Sequence, residues 1–358
     1  MKIQLEKVLE YEQPQKYIVA TENYSDEYTT PVLTAGKSFI LGYTDETDGI
    51  YKGTESPVII FDDFTSDTKY VDFDFKVKSS AMKILHKVNE EDFLKYFFYA
   101  MQKIQYKPFS HKRLWISEYS KFEIEKRTPE EQKIVVNDLD NINNAISLAK
   151  ERLLSLDELV KSRFIEMFGD IVRNDLQWET DKLSILCPIK NYRGEIPAID
   201  GKYWLLNLDL VESNTGTVLA KNYVNFNEIG NSTITFSEEY VLYSKLRPYL
   251  NKVVLPDGIG YATSELVPFL PSAKINKYYL AYALRSDNFV ALINDKSGGA
   301  KMPRAPMDFV KAFPLPIPPI SLQNEFAEFV KLIDKSKFVC QFIQGTFYAK
   351  YARFRPPP

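Results

Sequence analysis

The sequence predicts an α+β protein: two mixed α/β domains separated by two long helices that pair as an antiparallel coiled coil, in a pseudo-two-fold plan. Three observations predict this. A mixed, aromatic-rich segment runs into a long amphipathic helix, and the same order then repeats. The first helix carries an unbroken heptad stripe. The repeat has only two units, which excludes a solenoid and suits a target that is itself bipartite. The expected boundaries are 1–127 for the first domain, 128–170 for the central helix, 171–318 for the second domain and 319–358 for the C-terminal helix.

Residues 1–127 read as short strands and turns. Tyr17-Ile18-Val19-Ala20 and Val58-Ile59-Ile60-Phe61 are strand-like, being rich in β-branched and aromatic residues, and Gly36, Gly42, Gly49 and Gly53 punctuate them as turns. Residues 91–102 predict a helix, because Phe93, Tyr96, Phe97 and Ala100 share one face. Asp62, Asp63, Asp67, Asp72 and Asp74 read as a solvated acidic face, the alternative being a surface that meets a partner subunit.

Thr128-Pro129-Glu130-Glu131 is a helix start with a capping box: Thr128 caps, Pro129 occupies the first helical position, and Glu131 reaches back to the cap amide. Beyond it Val135, Leu139, Ile142, Ile146, Ala149, Leu153, Leu156 and Val160 alternate at spacings of 4 and 3, an a/d pattern. The helix should end at Phe168 with Gly169 as its C-terminal stop, about 60 Å long at about 1.5 Å per residue. Such a stripe needs a partner helix.

The second half matches the first in several places. Tyr96-Phe97-Phe98-Tyr99-Ala100-Met101 corresponds to Tyr279-Leu280-Ala281-Tyr282-Ala283-Leu284, and Val58-Ile59-Ile60 to Val241-Leu242-Tyr243 at the same offset. Glu130-Glu131-Gln132 corresponds to Ser321-Leu322-Gln323. The second long helix starts near Ser321, with Phe326, Val330, Ile333 and Cys340 on one face. Lys337 falls where an apolar residue is due, Gly345 interrupts the stripe, and this helix is expected to be the shorter one.

The formal charge of −3 means that any nucleic-acid binding must be local. Cys187 and Cys340 are too few for a disulfide framework or a cysteine zinc site, and His86 and His111 are the only histidines. No apolar run reaches the length of a signal peptide or a membrane span, so a cytoplasmic chain is expected. There is no Asn/Asp-Pro-Pro-Tyr/Phe methylation tetrapeptide and no phosphate-cradling glycine loop. Pro256-Asp257 with Glu265-Leu266-Val267 has the outline of a nuclease motif, but Val267 stands where phosphoryl chemistry requires a lysine. No residue is therefore assigned a catalytic or metal-binding role.

Candidate DNA contacts gather in loops. Lys245, Arg247, Tyr249 and Lys252 place three cations around an aromatic; Lys and Arg neutralise phosphates, and Arg also pairs with guanine edges. Ser297, Gly298, Gly299, Lys301 and Arg304 form a small-residue loop whose glycines allow close backbone approach to phosphate. Lys107, His111, Lys112 and Arg113 are its counterpart in the first half. Arg193, and Tyr43 with Lys52, are weaker candidates.

Lys161-Ser162-Arg163-Phe164-Ile165-Glu166-Met167-Phe168-Gly169-Asp170 resembles the junction after the central helix in the specificity subunits of type I restriction–modification systems. Phe313-Pro314-Leu315-Pro316-Ile317-Pro318-Pro319-Ile320 with Gln323 resembles that family's approach to its second long helix. The first approach, Phe122-Glu123-Ile124-Glu125-Lys126-Arg127, lacks the prolines. The resemblance implies two target-recognition domains, each reading half of a bipartite site in double-stranded DNA. It implies helices that fix the gap between half-sites and dock two modification subunits, with restriction subunits joining the complex. S-adenosylmethionine, ATP and Mg would then belong to the partner subunits and no cofactor to this chain. Two other readings stand beside it: a coiled-coil adaptor that binds no DNA, and a fused restriction–methylation enzyme.

Overall fold

The computed structural model describes residues 1–34, 38–106, 113–298 and 301–352, with side chains as far as 347. The fold is α+β, with two sheet-rich units. One comprises Met1–Ala149 with the chain from Phe342 onward, the other Lys150–Gln341.

In the first unit Leu9–Glu12, Met82–Lys87, Val58–Asp62 and Thr68–Val71 form an antiparallel sheet in that order. Ile40–Thr44, Thr30–Leu33 and Lys76–Val77 form a second sheet with one parallel pair. Val58–Asp62 is buried along its whole length, which accounts for its continuous apolar run. In the second unit Val241–Ser244 takes the same central place, between Val253–Val254 and Leu266–Phe269. Its second sheet repeats the first unit's arrangement: Tyr203–Leu206 pairs antiparallel with Tyr223–Val224 and parallel with Gly260–Thr263, and Thr233–Phe236 is added at the edge.

The repeat extends to single hydrogen bonds. In the first unit Lys2–Gln4 pairs with Glu123–Glu125, Leu5 N–H donates to Phe122 O at 3.0 Å, and Tyr96 Oη donates to Glu125 O at 2.7 Å. In the second Thr180–Lys182 pairs with Pro314–Pro316, Leu183 N–H donates to Phe313 O at 2.9 Å, and Tyr279 Oη donates to Pro316 O at 2.9 Å. Two glutamines in the first turns of the long helices do the same work. Gln132 Oε1 accepts from Phe93 N–H at 2.8 Å, while its Nε2 donates to Asp92 and to Arg127 O. Gln323, 0 % exposed, accepts from Asn276 N–H at 2.8 Å and donates to Lys274 O and Pro318 O. Each glutamine ties the start of a long helix to the start of the short helix beside it, Leu94–Met101 or Lys277–Arg285.

The central helix runs Pro129–Phe168 and ends on Gly169 at φ +72°, a left-handed stop that glycine adopts without a Cβ penalty. Its capping box forms: Glu131 N–H donates to Thr128 Oγ1 at 3.3 Å, and Thr128 N–H donates to Glu131 at 3.0 Å. The stripe faces inward, with Leu139, Ile146, Ala149 and Val160 buried and Val135, Ile142, Leu153 and Leu156 half-buried. The C-terminal helix is Ile320–Ala352, shorter as expected. Within the second unit the two helices run antiparallel: Phe164 and Phe168 pack edge-on against Phe326, Arg163 meets Glu325 at 3.1 Å, and further along Asp157 meets Lys337 at 2.5 Å. Phe326, Val330 and Ile333 are buried. Lys337, at the apolar position, lowers the cost of its place by pairing with Asp157.

Four expectations are corrected. Tyr17–Ala20 is no strand, because Pro14 starts a 3-10 turn, Pro14–Tyr17, and Ile18 keeps only a bridge to Val77. Gly42 lies inside the strand Ile40–Thr44 rather than in a turn; a Cβ there would sit 2.9 Å from the Tyr24 Cβ. The predicted 91–102 helix begins only at Leu94, since the Phe93 amide is held by Gln132. Asp62 and Asp63 are buried: Asp63 pairs with Lys83 at 3.0 Å and accepts from Trp115 N–H at 2.9 Å. Gly345 breaks the apolar stripe, as expected, but not the helix, which continues through it. Gly36 lies outside the described residues.

Candidate nucleic-acid interface

The strand Val241–Ser244 ends at a sharp excursion. Arg247 and Asn251 both adopt left-handed backbone, at φ 49° and 48°, around the 3-10 turn Pro248–Leu250. For a non-glycine residue this costs roughly 1–2 kcal/mol, so surrounding contacts must hold it. They do: Arg247 N–H donates to Pro303 O at 2.8 Å, Leu250 N–H to Arg247 O at 2.9 Å, and Asn251 Nδ2 to Arg285 O at 2.9 Å. The Arg247 Nε is buried without a hydrogen-bond partner.

These bonds bring together the two cationic stretches that the sequence offers separately. Leu246 bridges to Arg304, Ala305 N–H donates to Lys245 O at 2.8 Å, and Arg304 N–H donates to Gly298 O at 3.3 Å. The result is a clasp of two chain segments that carries Lys245, Arg247, Tyr249, Lys301 and Arg304. Tyr249 is 50 % exposed and Lys301 is exposed. Glu265 sits in the turn between Gly260–Thr263 and Leu266–Phe269; its carbonyl accepts from Lys245 N–H at 3.0 Å, and its carboxylate pairs with Arg304 at 2.9 Å. That neighbour holds the Arg304 guanidinium above its ordinary pKa.

The other candidates are placed differently. Lys252 Nζ donates to Leu208 O at 2.7 Å, which turns it inward. Ser297 Oγ donates to Ile293 O at 2.7 Å and finishes the helix Asp287–Lys296. Arg193 is exposed beside the second sheet, where Tyr192 N–H donates to Thr235 O, and no bond ties it to the clasp among the described residues. Lys52 is neutralised by Asp74 at 2.8 Å; hydrogen bonds from Lys52 and from Thr54 lower the Asp74 carboxyl to about 2. Tyr43 is half-buried in the strand Ile40–Thr44. Arg113 is exposed just before the helix Leu114–Ser117, while Lys107, His111, Lys112 and Gly299 lie outside the described residues. Glu265 was visible in the sequence only as part of a failed nuclease outline. Its partner lies 39 positions away, and no local pattern reports such a pairing.

Among the described residues no helix is long and apolar enough to cross a membrane. Residues 177–338 match the type I restriction modification DNA specificity domain. Over 92 % of its length the chain is 30 % identical to the EcoR124I/EcoR124II specificity subunit of Escherichia coli, covering 85 % of that protein. Its fold is similar to the type I restriction–modification S subunit of M. genitalium, with a TM-score of 0.61 at 13 % identity, covering 99 % of this chain and 94 % of that one. A chain from a structure of type I restriction–modification complex assembly gives 0.52 at 12 % identity, covering 99 % and 97 %. With such identity sustained over nearly the full length, the chain belongs to the family of type I restriction enzyme specificity subunits.

Proposed function

We propose that this chain reads a bipartite site in double-stranded DNA, one domain per half-site, and docks two modification subunits through its long helices, with restriction subunits joining the complex. The observation that supports this best is the clasp, where strained but well-held backbone presents cations and an exposed tyrosine. Phosphate contacts from such cations supply affinity, and base contacts supply specificity. Methylation, ATP hydrolysis and cleavage, with S-adenosylmethionine, ATP and Mg, are placed in the partner subunits and none of them in this chain. The heptad stripe and its partner helix favour the spacer role.

The test is to co-express the chain with its modification and restriction subunits and map methylated adenines across the host genome. A split motif with a fixed gap is expected. Exchanging residues 1–127 for another such domain should change one half-site only, and inserting one heptad after Ala149 should lengthen the gap or abolish assembly. Methylation unchanged on deleting this chain, with binding to its neighbours retained, would favour a pure adaptor.

A further inference from the structure

We infer that Arg304 reads a guanine in the half-site of the second domain, and that Glu265 is the positioning residue that aims it; this rests on the DNA-reading function proposed above. The pair is side-on. Arg304 Nη2 donates to Glu265 Oε1 at 2.9 Å, and Nε lies 3.4 Å from Oε2. One edge of the guanidinium is thereby engaged. The other edge, Nη1 with the second Nη2 hydrogen, has no partner among the described residues, and the Arg304 side chain is 56 % exposed. That free edge offers two parallel N–H donors, the match for the O6 and N7 acceptors that guanine presents in the major groove.

Two features favour a base edge over a phosphate. A carboxylate beside the guanidinium repels a phosphate that approaches the same group, whereas the neutral edge of guanine meets no such penalty. Both partners are also held at the backbone. Arg304 is bridged to Leu246 and Gly298, and Glu265, only 23 % exposed, occupies a tight turn whose carbonyl is bonded to Lys245. Fixed geometry is what bidentate base reading demands and phosphate neutralisation does not. Lys301, exposed and without an ion-pair partner among the described residues, is the contrasting phosphate contact.

The test uses the full chain co-expressed with its partner subunits. Adenine methylation is mapped, and binding to the mapped duplex is compared with a duplex altered at the guanine, over a salt series. The second half-site should contain a guanine. Arg304→Ala and Arg304→Lys should each relax that one position, losing about 5- to 150-fold of discrimination, with the other half-site unchanged. Arg304→Lys keeps the charge and loses the fork, so relaxation by it separates reading from neutralisation. Glu265→Gln should relax the same position partially, and Glu265→Asp should retain more of the stringency. Lys301→Ala should weaken all duplexes alike and flatten the salt dependence while leaving the motif intact. Arg304→Lys at full stringency, or an unaltered motif in Glu265→Gln, would overturn the inference. Absence of any split motif with the wild-type chain would instead overturn the function on which it rests.

Discussion

Replacing Gln323 by leucine tests whether the repeated glutamine clamp holds each domain to its helix. The side chain is wholly buried and makes three hydrogen bonds, accepting from Asn276 N–H at 2.8 Å and donating to Lys274 O at 3.0 Å and Pro318 O at 2.8 Å. Leucine fills a similar volume and satisfies none of these groups. At about 1 kcal/mol net per lost bond the change should cost about 3 kcal/mol, more if the stranded groups stay dry. For a unit of this size that lowers the melting temperature by roughly 6–12 °C. Two units can unfold separately, so a single global transition is not assumed. The sharper assay is amide hydrogen exchange, in which Asn276 N–H loses protection together with the first turn of Lys277–Arg285. Gln323→Glu keeps the acceptor for Asn276 but turns a carboxylate toward two carbonyls, and should be at least as harmful. A cost below about 1 kcal/mol, with Asn276 exchange unchanged, would refute the clamp.

Three further outcomes are expected. Lys337→Leu leaves Asp157 and Asp334 facing one another without their cation and should cost about 1–2 kcal/mol, whereas Lys337→Leu with Asp157→Leu should return close to wild type in a double-mutant cycle by urea denaturation. Burial raises the Glu46 pKa, but the Ala20 and Thr21 amides and Lys76 outweigh it and bring the carboxyl from its ordinary 4.5 to about 2. Because the folded value is the lower one, this stabilisation is full above about pH 4.5 and fades as pH falls toward 2; the stability difference between wild type and Glu46→Gln should shrink across that window, and a difference that stays flat would count against the pairing. Gly216→Ala should destabilise by at least about 2 kcal/mol in urea titration, since φ is +69° and the added Cβ would lie 1.7 Å from Val253 O.

What could be read in advance follows the range of the interactions. The central helix was legible to its ends because Thr128, Glu131 and Gly169 act within one turn of the chain. The pairing of Val58–Asp62 with Val241–Ser244 as equivalent strands was legible because burial on both faces leaves a continuous apolar run. Tyr17–Ala20 misled because the fixed φ of Pro14 outweighs the β propensity of the residues after it. The clasp was legible as two charged stretches but not as one site, because the bonds joining Arg247 to Pro303 and Leu246 to Arg304 span more than fifty residues. Lys52 and Lys252 illustrate the converse: a cation in a loop says nothing of whether Asp74 or a carbonyl already holds it.

Each domain begins and finishes in the same short ladder, Lys2–Gln4 against Glu123–Glu125 and Thr180–Lys182 against Pro314–Pro316. Its ends therefore meet, and the glutamine next to that ladder closes it onto the helix. A gene segment bounded by these ladders encodes a cassette with coincident terminals. The heptads of Pro129–Phe168 lie outside both ladders, so exchange of one such segment leaves the scaffold helix unaltered in sequence.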